Sequence, residues 1–232
     1  MLTTDFWKKY FEVYDVLILL IPYQELLNDM CDELEIKQGE LVLEAGCGTG
    51  NLALKIKERG GRVIGLDNCQ AALDIYRKKD PKAEIVLADL LKPLPFADNY
   101  FDKIATCNTL YTFPLETQKA ILRELLRILK PGGKIAVENP VKGWSASRIY
   151  EIGIEKEIKK SGYFKAMLKI FKLIIPTAKV FYYNSKIKKE SNYNFLKAEE
   201  QIALLESAGF SDVSSARLTY AGEGILNTAV KP

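Results

Sequence analysis

At 232 residues, 48% of them apolar and 27% charged, the chain has the length and makeup of one α/β domain carrying an insertion, able to form a core without disulfides or metal. It contains no histidine, which excludes Ser-His-Asp and Cys-His catalysis and would leave a zinc site only thiolates and carboxylates; Cys31, Cys47, Cys69 and Cys107 form no CxxC pair and fit reduced thiols. The net charge of +3 conceals a split: between Pro140 and Phe195, 12 Lys or Arg stand against 4 Asp or Glu, whereas the rest holds 21 against 26, so an acidic body carries a basic segment.

Residues 5–34 read as helix, in one or two pieces around Pro22, because Phe6, Tyr10, Val13, Tyr14, Leu17 and Ile21 recur at three- and four-residue steps on one face. No secretory leader is expected, since Asp5, Glu12 and Asp15 interrupt this stretch. Its longest apolar run, Val16 to Ile21, is six residues, far short of the ~20 that span a bilayer. A soluble, cytoplasmic protein is the expectation.

Leu41-Val42-Leu43 then reads as a buried parallel strand that ends at Glu44 and meets Gly46, Gly48 and Gly50. The following helix, Asn51 to Arg59, is stopped by Gly60-Gly61. A strand, a glycine turn and a helix N-terminus make a ligand seat, because glycine permits positive φ and close approach and the helix start presents free N–H groups. The spacing is not G-x-G-x-x-G, so the dinucleotide fingerprint is not met. The pattern Glu-x-Gly-x-Gly-x-Gly resembles the first motif of the class I S-adenosylmethionine-dependent methyltransferases. That resemblance implies that Glu44, Ala45, Gly46, Cys47, Gly48 and Gly50 hold the methionine half of the cofactor, with Glu44 near its ammonium. Tyr14-Asp15 resembles the family's pair on an N-terminal helix, which implies that Tyr14 lies over the cofactor; simple packing is the alternative.

A second strand, Arg62 to Asp67, ends on an acid 17 residues beyond Gly50. In Rossmann-like folds an acid at about that distance accepts from ribose hydroxyls, which assigns Asp67 and the adjoining Asn68 to the cofactor; capping the next helix, Gln70 to Lys79, is the alternative. A third strand, Glu84 to Ala88, is followed by Asp89 and Leu90, and the resemblance implies that the Asp89 carboxylate meets the adenine amino group and the Leu90 N–H a ring nitrogen. Leu94 to Asp102 leads into a fourth strand, Lys103 to Cys107. Asn108 to Phe113, an amphipathic helix over Leu115 to Leu129, the turn Lys130-Pro131-Gly132-Gly133 and a fifth strand, Lys134 to Glu138, come next. The resemblance is continuous from Glu40 to Asn139.

It lapses from Pro140 to Phe195, a segment with 10 of the chain's 24 aromatic residues. Within it Phe164, Met167, Leu168, Phe171, Ile174 and Ile175 share one helical face, Lys165, Lys169 and Lys172 another, and Pro176 is expected to end the run. Lys197 to Ser207 reads as a further helix, and strands at Val213–Leu218 and Ile225–Val230 would complete an antiparallel edge. The implied fold is α/β: a Rossmann-like, seven-stranded, mostly parallel sheet with an antiparallel last strand, helices on both faces and an inserted helical lid after strand five. One domain then divides into an N-terminal helical cap (1–36), a cofactor-binding core (37–139), a basic aromatic lid (140–195) and a C-terminal helix and hairpin (196–232).

Methyl transfer from a sulfonium is an in-line displacement in which alignment and exclusion of water matter most, which suits a chain without histidine. Tyr10, Tyr14 or Tyr111 would offer a ring or phenol to the sulfonium. Asn108 and Tyr111 are the candidate catalytic residues, Asn108 also a cofactor contact, and Glu138 a further candidate base; no metal is expected. Asn108-Thr109-Leu110-Tyr111 lacks the prolines of the Asn/Asp-Pro-Pro-Tyr found in enzymes that methylate adenine or glutamine amides, and no two-glutamate loop of the protein-arginine type follows strand four. What remains resembles the small-molecule branch that includes ubiquinone- and menaquinone-type enzymes, with an amphiphilic acceptor, S-adenosylmethionine as cofactor and S-adenosylhomocysteine as product. The basic segment stays open between a lid, a peripheral membrane contact and a surface for RNA or protein, and a non-catalytic cofactor-binding module is the remaining alternative.

Overall fold

Short apolar runs separated by amphipathic segments place strands and helices in alternation, and the computed structural model, which describes residues 2–232, has that order. Strands β1 (Leu41–Ala45), β2 (Arg62–Asp67), β3 (Glu84–Leu87), β4 (Phe101–Cys107), β5 (Leu129–Pro140), β6 (Arg217–Thr219) and β7 (Gly224–Val230) form a single sheet in the order β3-β2-β1-β4-β5-β7-β6. The first five run parallel; β7 lies antiparallel between β5 and β6. Strand order reverses between β1 and β4, which places a ligand crevice at their carboxyl ends.

Alternation along each strand divides the core in two. Leu43, Leu66, Ile104 and Ile135 face α5 (Leu115–Ile128) and α8 (Ala198–Ala208), whereas Val42, Val63 and Ala105 face α3 (Asn51–Glu58), α4 (Gln70–Lys79) and the N-terminal α2 (Ile21–Leu34). Buried Lys103 donates to the Leu34 and Glu35 carbonyls at the C-terminus of α2, where a cation complements the helix dipole, and so fixes α2 on the sheet.

Most expected elements stand where the sequence puts them, with two corrections. The N-terminal stretch takes the two-piece form, divided before Pro22: α1 spans Thr4–Tyr14, a 3₁₀ turn covers Asp15–Leu19, and Pro22 sits in the first turn of α2, where its missing N–H costs nothing. Of the expected Val213–Leu218 strand only Arg217 and Leu218 are ladder, in a β6 that runs on to Thr219; earlier, Ser214 bonds to Thr228 through both its amide and its hydroxyl, outside a regular register. Pro176 does not end the helix in the insertion. After α6 (Ala146–Ser161), α7 runs from Tyr163 to Lys189 with Pro176 inside it. An interior proline costs about 3 kcal/mol, but Thr177, Val180 and Ile187 beyond it are buried where α7 packs on α1 and the 3₁₀ turn, and that burial holds the second half in place.

Candidate active site

The carboxyl ends of β1, β2 and β4 open into one cleft, roofed by α1, the turn after it and the second half of α7. It encloses about 1750 Å³ including its open mouth.

The turn after β1 makes one end. The amides of Gly46 and Cys47 donate to the Leu66 carbonyl at 2.7 and 2.9 Å, which ties the turn to β2. Gly46 has φ +79°, and a Cβ there would sit 2.3 Å from Thr109 Oγ1. Gly48 N–H donates to Asp67 Oδ2 and Cys69 N–H to Oδ1, each at 2.8 Å; burial pushes the Asp67 carboxyl up, and these amides oppose the shift. Glu44, 4% exposed, lines the cleft with Oε2 lacking any partner, and burial pushes its carboxyl well above the usual range. An orphaned carboxylate beside a glycine turn suits a cationic ligand group, which would restore its charged form.

Of the residues that the sequence assigns to the cofactor, Glu44, Gly46, Cys47, Gly48, Asp67, Asn68 and Leu90 line this end. Three expected contacts do not. Ala45 points to the opposite face of β1 and joins the core, as strand alternation requires once Glu44 faces the cleft. Gly50 caps α3 at φ +76°, where a Cβ would meet the Tyr76 ring at 2.3 Å. Asp89 turns its carboxylate onto the Leu91 N–H at 3.0 Å, a local turn that competes with any ligand, while Ala88 and Leu90 on either side form the wall.

The roof is stitched down by Asp15. Its Oδ1 accepts from the Thr49 hydroxyl at 2.6 Å and Asn51 Nδ2 at 3.1 Å, and Lys79 Nζ approaches Oδ2 at 3.0 Å, so the N-terminal segment closes on the glycine turn itself. Tyr14 lines the cleft and accepts from the Tyr23 hydroxyl at 3.2 Å.

At the middle of the cleft, Asn108 holds φ +53°, with its N–H on the Glu138 carbonyl at 3.0 Å. Tyr111 is buried and stacks on Phe195 at 4.9 Å between centroids. Burial pushes the phenols of Tyr14 and Tyr111 well above their usual value, so at neutral pH both are hydroxyl groups and neither is a base. Glu138 is fully buried and does not line the cleft; the Cys107 thiol and the Thr219 hydroxyl donate to it, each at 3.3 Å, and burial pushes it up to about 7. It lies behind Cys107, which does line the cleft, so it is not placed as the base the sequence allowed.

The other end was not legible in the sequence. Trp7, Tyr10, Trp144, Tyr150, Phe181 and Tyr193 wall it, and no Lys or Arg lines any part of the cleft among the described residues. The one acid there, Glu223, is engaged by Ser145 N–H at 2.7 Å and by Arg148 at 3.3 Å. Two donors have no partner: Trp144 Nε1 and Thr177 Oγ1, each on a residue 6% exposed and lining the cleft. A helical threonine ordinarily bonds back to a carbonyl of the preceding turn, and the Thr177 hydroxyl does not.

Residues 42–133 match the family described as a methyltransferase domain. Over 202 residues the chain is 31% identical to a demethylmenaquinone methyltransferase of Clavibacter sepedonicus, covering 84% of this chain and 74% of that one. A demethylmenaquinone methyltransferase of Lactobacillus johnsonii is 26% identical, over 95% of this chain and 93% of its own. Among solved structures, magnesium protoporphyrin IX methyltransferase of Synechocystis, with S-adenosylhomocysteine bound, is alike in fold: TM-score 0.61 at 16% identity, over 91% of this chain and 84% of that one.

Proposed function

The chain belongs to the class I S-adenosylmethionine-dependent methyltransferases, and from that premise we propose that it methylates a neutral, oxygen-bearing aromatic amphiphile of the quinol type. The observation that carries the reading is the far end of the cleft: aromatic walls, no cationic side chain, and two buried donors, Trp144 Nε1–H and the Thr177 hydroxyl, without partners. Rings favour a flat apolar body, two free donors favour an oxygen on it, and the lack of Lys or Arg disfavours a phosphate or carboxylate inside the cleft. The relatives named for demethylmenaquinone methylation agree with that chemistry.

The residues of the near end fit the cofactor. Glu44 would take its ammonium, the Gly46–Gly48 turn would pass close beneath its amino-acid part, and Asp67 has lone pairs left for ribose hydroxyls. The bound cofactor supplies an electrophilic methyl on a cationic sulfur. The protein aligns the acceptor against it and keeps water out with α1 and α7. No ionised base lines the middle of the cleft, so the acceptor must bring its own nucleophilicity, as an electron-rich hydroxylated ring does.

The test is anaerobic incubation with methyl-labelled S-adenosylmethionine and demethylmenaquinol, alongside a cell extract separated into lipid, aqueous, RNA and protein pools. Label in the quinol and the lipid pool is the expected result. Label confined to RNA or protein would overturn the acceptor class and leave the cofactor site intact.

A further inference from the structure

Seven of the thirteen exposed large hydrophobic side chains among the described residues lie on α7: Tyr163, Phe164, Leu168, Phe171, Ile174, Ile175 and Tyr182. At 100° per residue, Phe164, Leu168, Phe171, Ile175 and Tyr182 fall within a sector of roughly 60°. Phe164, Phe171 and Ile175 are 75%, 76% and 72% exposed, so they pack on nothing. The buried side of α7, with Ala166, Thr177 and Val180, lies about 180° round from them and is the side that reaches the cleft.

The exposed sector has a charged border. Lys165, Lys172, Lys179 and Lys186 recur every seven residues, so they form one stripe that drifts only ~20° per repeat along the helix. None of the four is in an ion pair among the described residues, and Lys186 lies over the Tyr182 ring at 5.4 Å. Lys169 stands outside the stripe, 2.7 Å from Glu157 Oε2. Among the described residues no helix is long and apolar enough to cross a membrane, so this face is one that would lie on a surface.

We infer that the outer face of α7 docks on an anionic lipid bilayer, with Phe164, Phe171 and Ile175 entering the interface and the lysine stripe meeting the headgroups. Charge decides the occupant. A second copy of this chain packed through the same face would bring two lysine stripes together, whereas anionic headgroups neutralise them. A basic residue near such a surface strengthens binding roughly fivefold, and exposed aromatic and aliphatic side chains supply the apolar part. The same helix walls the acceptor end of the cleft with its other side, so docking would set that end beside the lipid phase. The inference does not depend on which acceptor the cleft takes.

The experiment is flotation of the full chain with phosphatidylcholine vesicles, with and without roughly a third phosphatidylglycerol, at low and high salt. The expected result is flotation with the anionic vesicles, weakened by salt. K165E/K172E/K179E/K186E should lose at least thirtyfold in vesicle affinity, and F164S/F171S/I175S should lose flotation even at low salt. Both variants should keep the wild-type affinity for S-adenosylmethionine, because none of these residues lines the cleft. Wild-type protein that stays at the bottom, a lysine variant that floats as well as wild type, or a serine variant that only turns a dimer into a monomer would each overturn the inference.

Discussion

The two ends of the cleft hold their polar groups in opposite ways. At the sheet end the protein satisfies nearly all of them itself, with Glu44 Oε2 the exception: both Asp67 oxygens take backbone amides, the Leu66 carbonyl takes two, and Asp15 takes Thr49, Asn51 and Lys79. At the helical end the cleft is walled by rings, and Trp144 and Thr177 are left with donors in hand. The first arrangement fixes a geometry, which suits a cofactor of constant shape. The second commits little beyond an apolar, oxygen-bearing guest, which suits an acceptor that a roofing helix must close upon.

The sharpest way to break the sheet end is Gly46→Ala. The new Cβ would need φ +79° and would lie 2.3 Å from Thr109 Oγ1, so the turn must move off the ligand. Affinity for S-adenosylmethionine, read by calorimetry, should fall by at least about a hundredfold, or roughly 3 kcal/mol, with the far-ultraviolet dichroism unchanged. Unchanged affinity would show that the turn does not touch the cofactor.

Glu138 tests the rigidity beneath the cleft through pH. Its carboxyl, 4.5 in an unfolded chain, is pushed up to about 7 by burial. Between those values the unfolded state has released its proton and the native state keeps it, so stability falls as pH rises through that window, by on the order of 3 kcal/mol. Buried Glu44 and half-buried Asp67 act in the same direction. Glu138→Gln should flatten the decline in denaturant midpoint between about pH 4.5 and 7; an identical decline in the variant would assign it to those other acids.

Asp67→Ala should weaken cofactor binding about tenfold or more, since it removes a charged acceptor and releases the Gly48 and Cys69 amides together. Asp89→Ala should cost less, because that carboxylate holds only the Leu91 N–H. The reverse order would mean that the Asp89 turn opens when the cofactor enters.

The sheet end was legible because backbone geometry dictates its residue types. Positive φ at Gly46, Gly48 and Gly50 demands glycine, and a strand that ends at a crevice leaves its last acid there. What the pattern does not carry is which atoms a side chain prefers once folded: Ala45 and Gly50 serve the core and the helix cap, and Asp89 a local turn. The helical end was illegible for another reason. α7 has two apolar sides, and the one richer in large side chains, with Phe164 and Phe171, faces outward, so hydrophobicity alone points to the wrong side of the helix. Trp144 and Thr177 are polar atoms in apolar surroundings, and only packing reveals that nothing in the protein answers them.

That contrast supplies the smallest effect and the finest test. Thr177→Val keeps the volume and Trp144→Phe keeps an aromatic ring of smaller size, while each removes one donor. A single hydrogen bond contributes about 0.5–1.5 kcal/mol, so each change should raise the acceptor KM roughly threefold to tenfold, with S-adenosylmethionine affinity unaltered. If both donors grip one oxygen, the double variant should lose more than the product of the two single losses, because the oxygen keeps one bond until the second donor goes and is then buried with none. Multiplicative losses would place the donors on two separate oxygens, as on the two rims of a quinol. No loss in either variant, measured against 1-naphthol and naphthalene as shape-matched probes, would mean that the acceptor end reads shape alone.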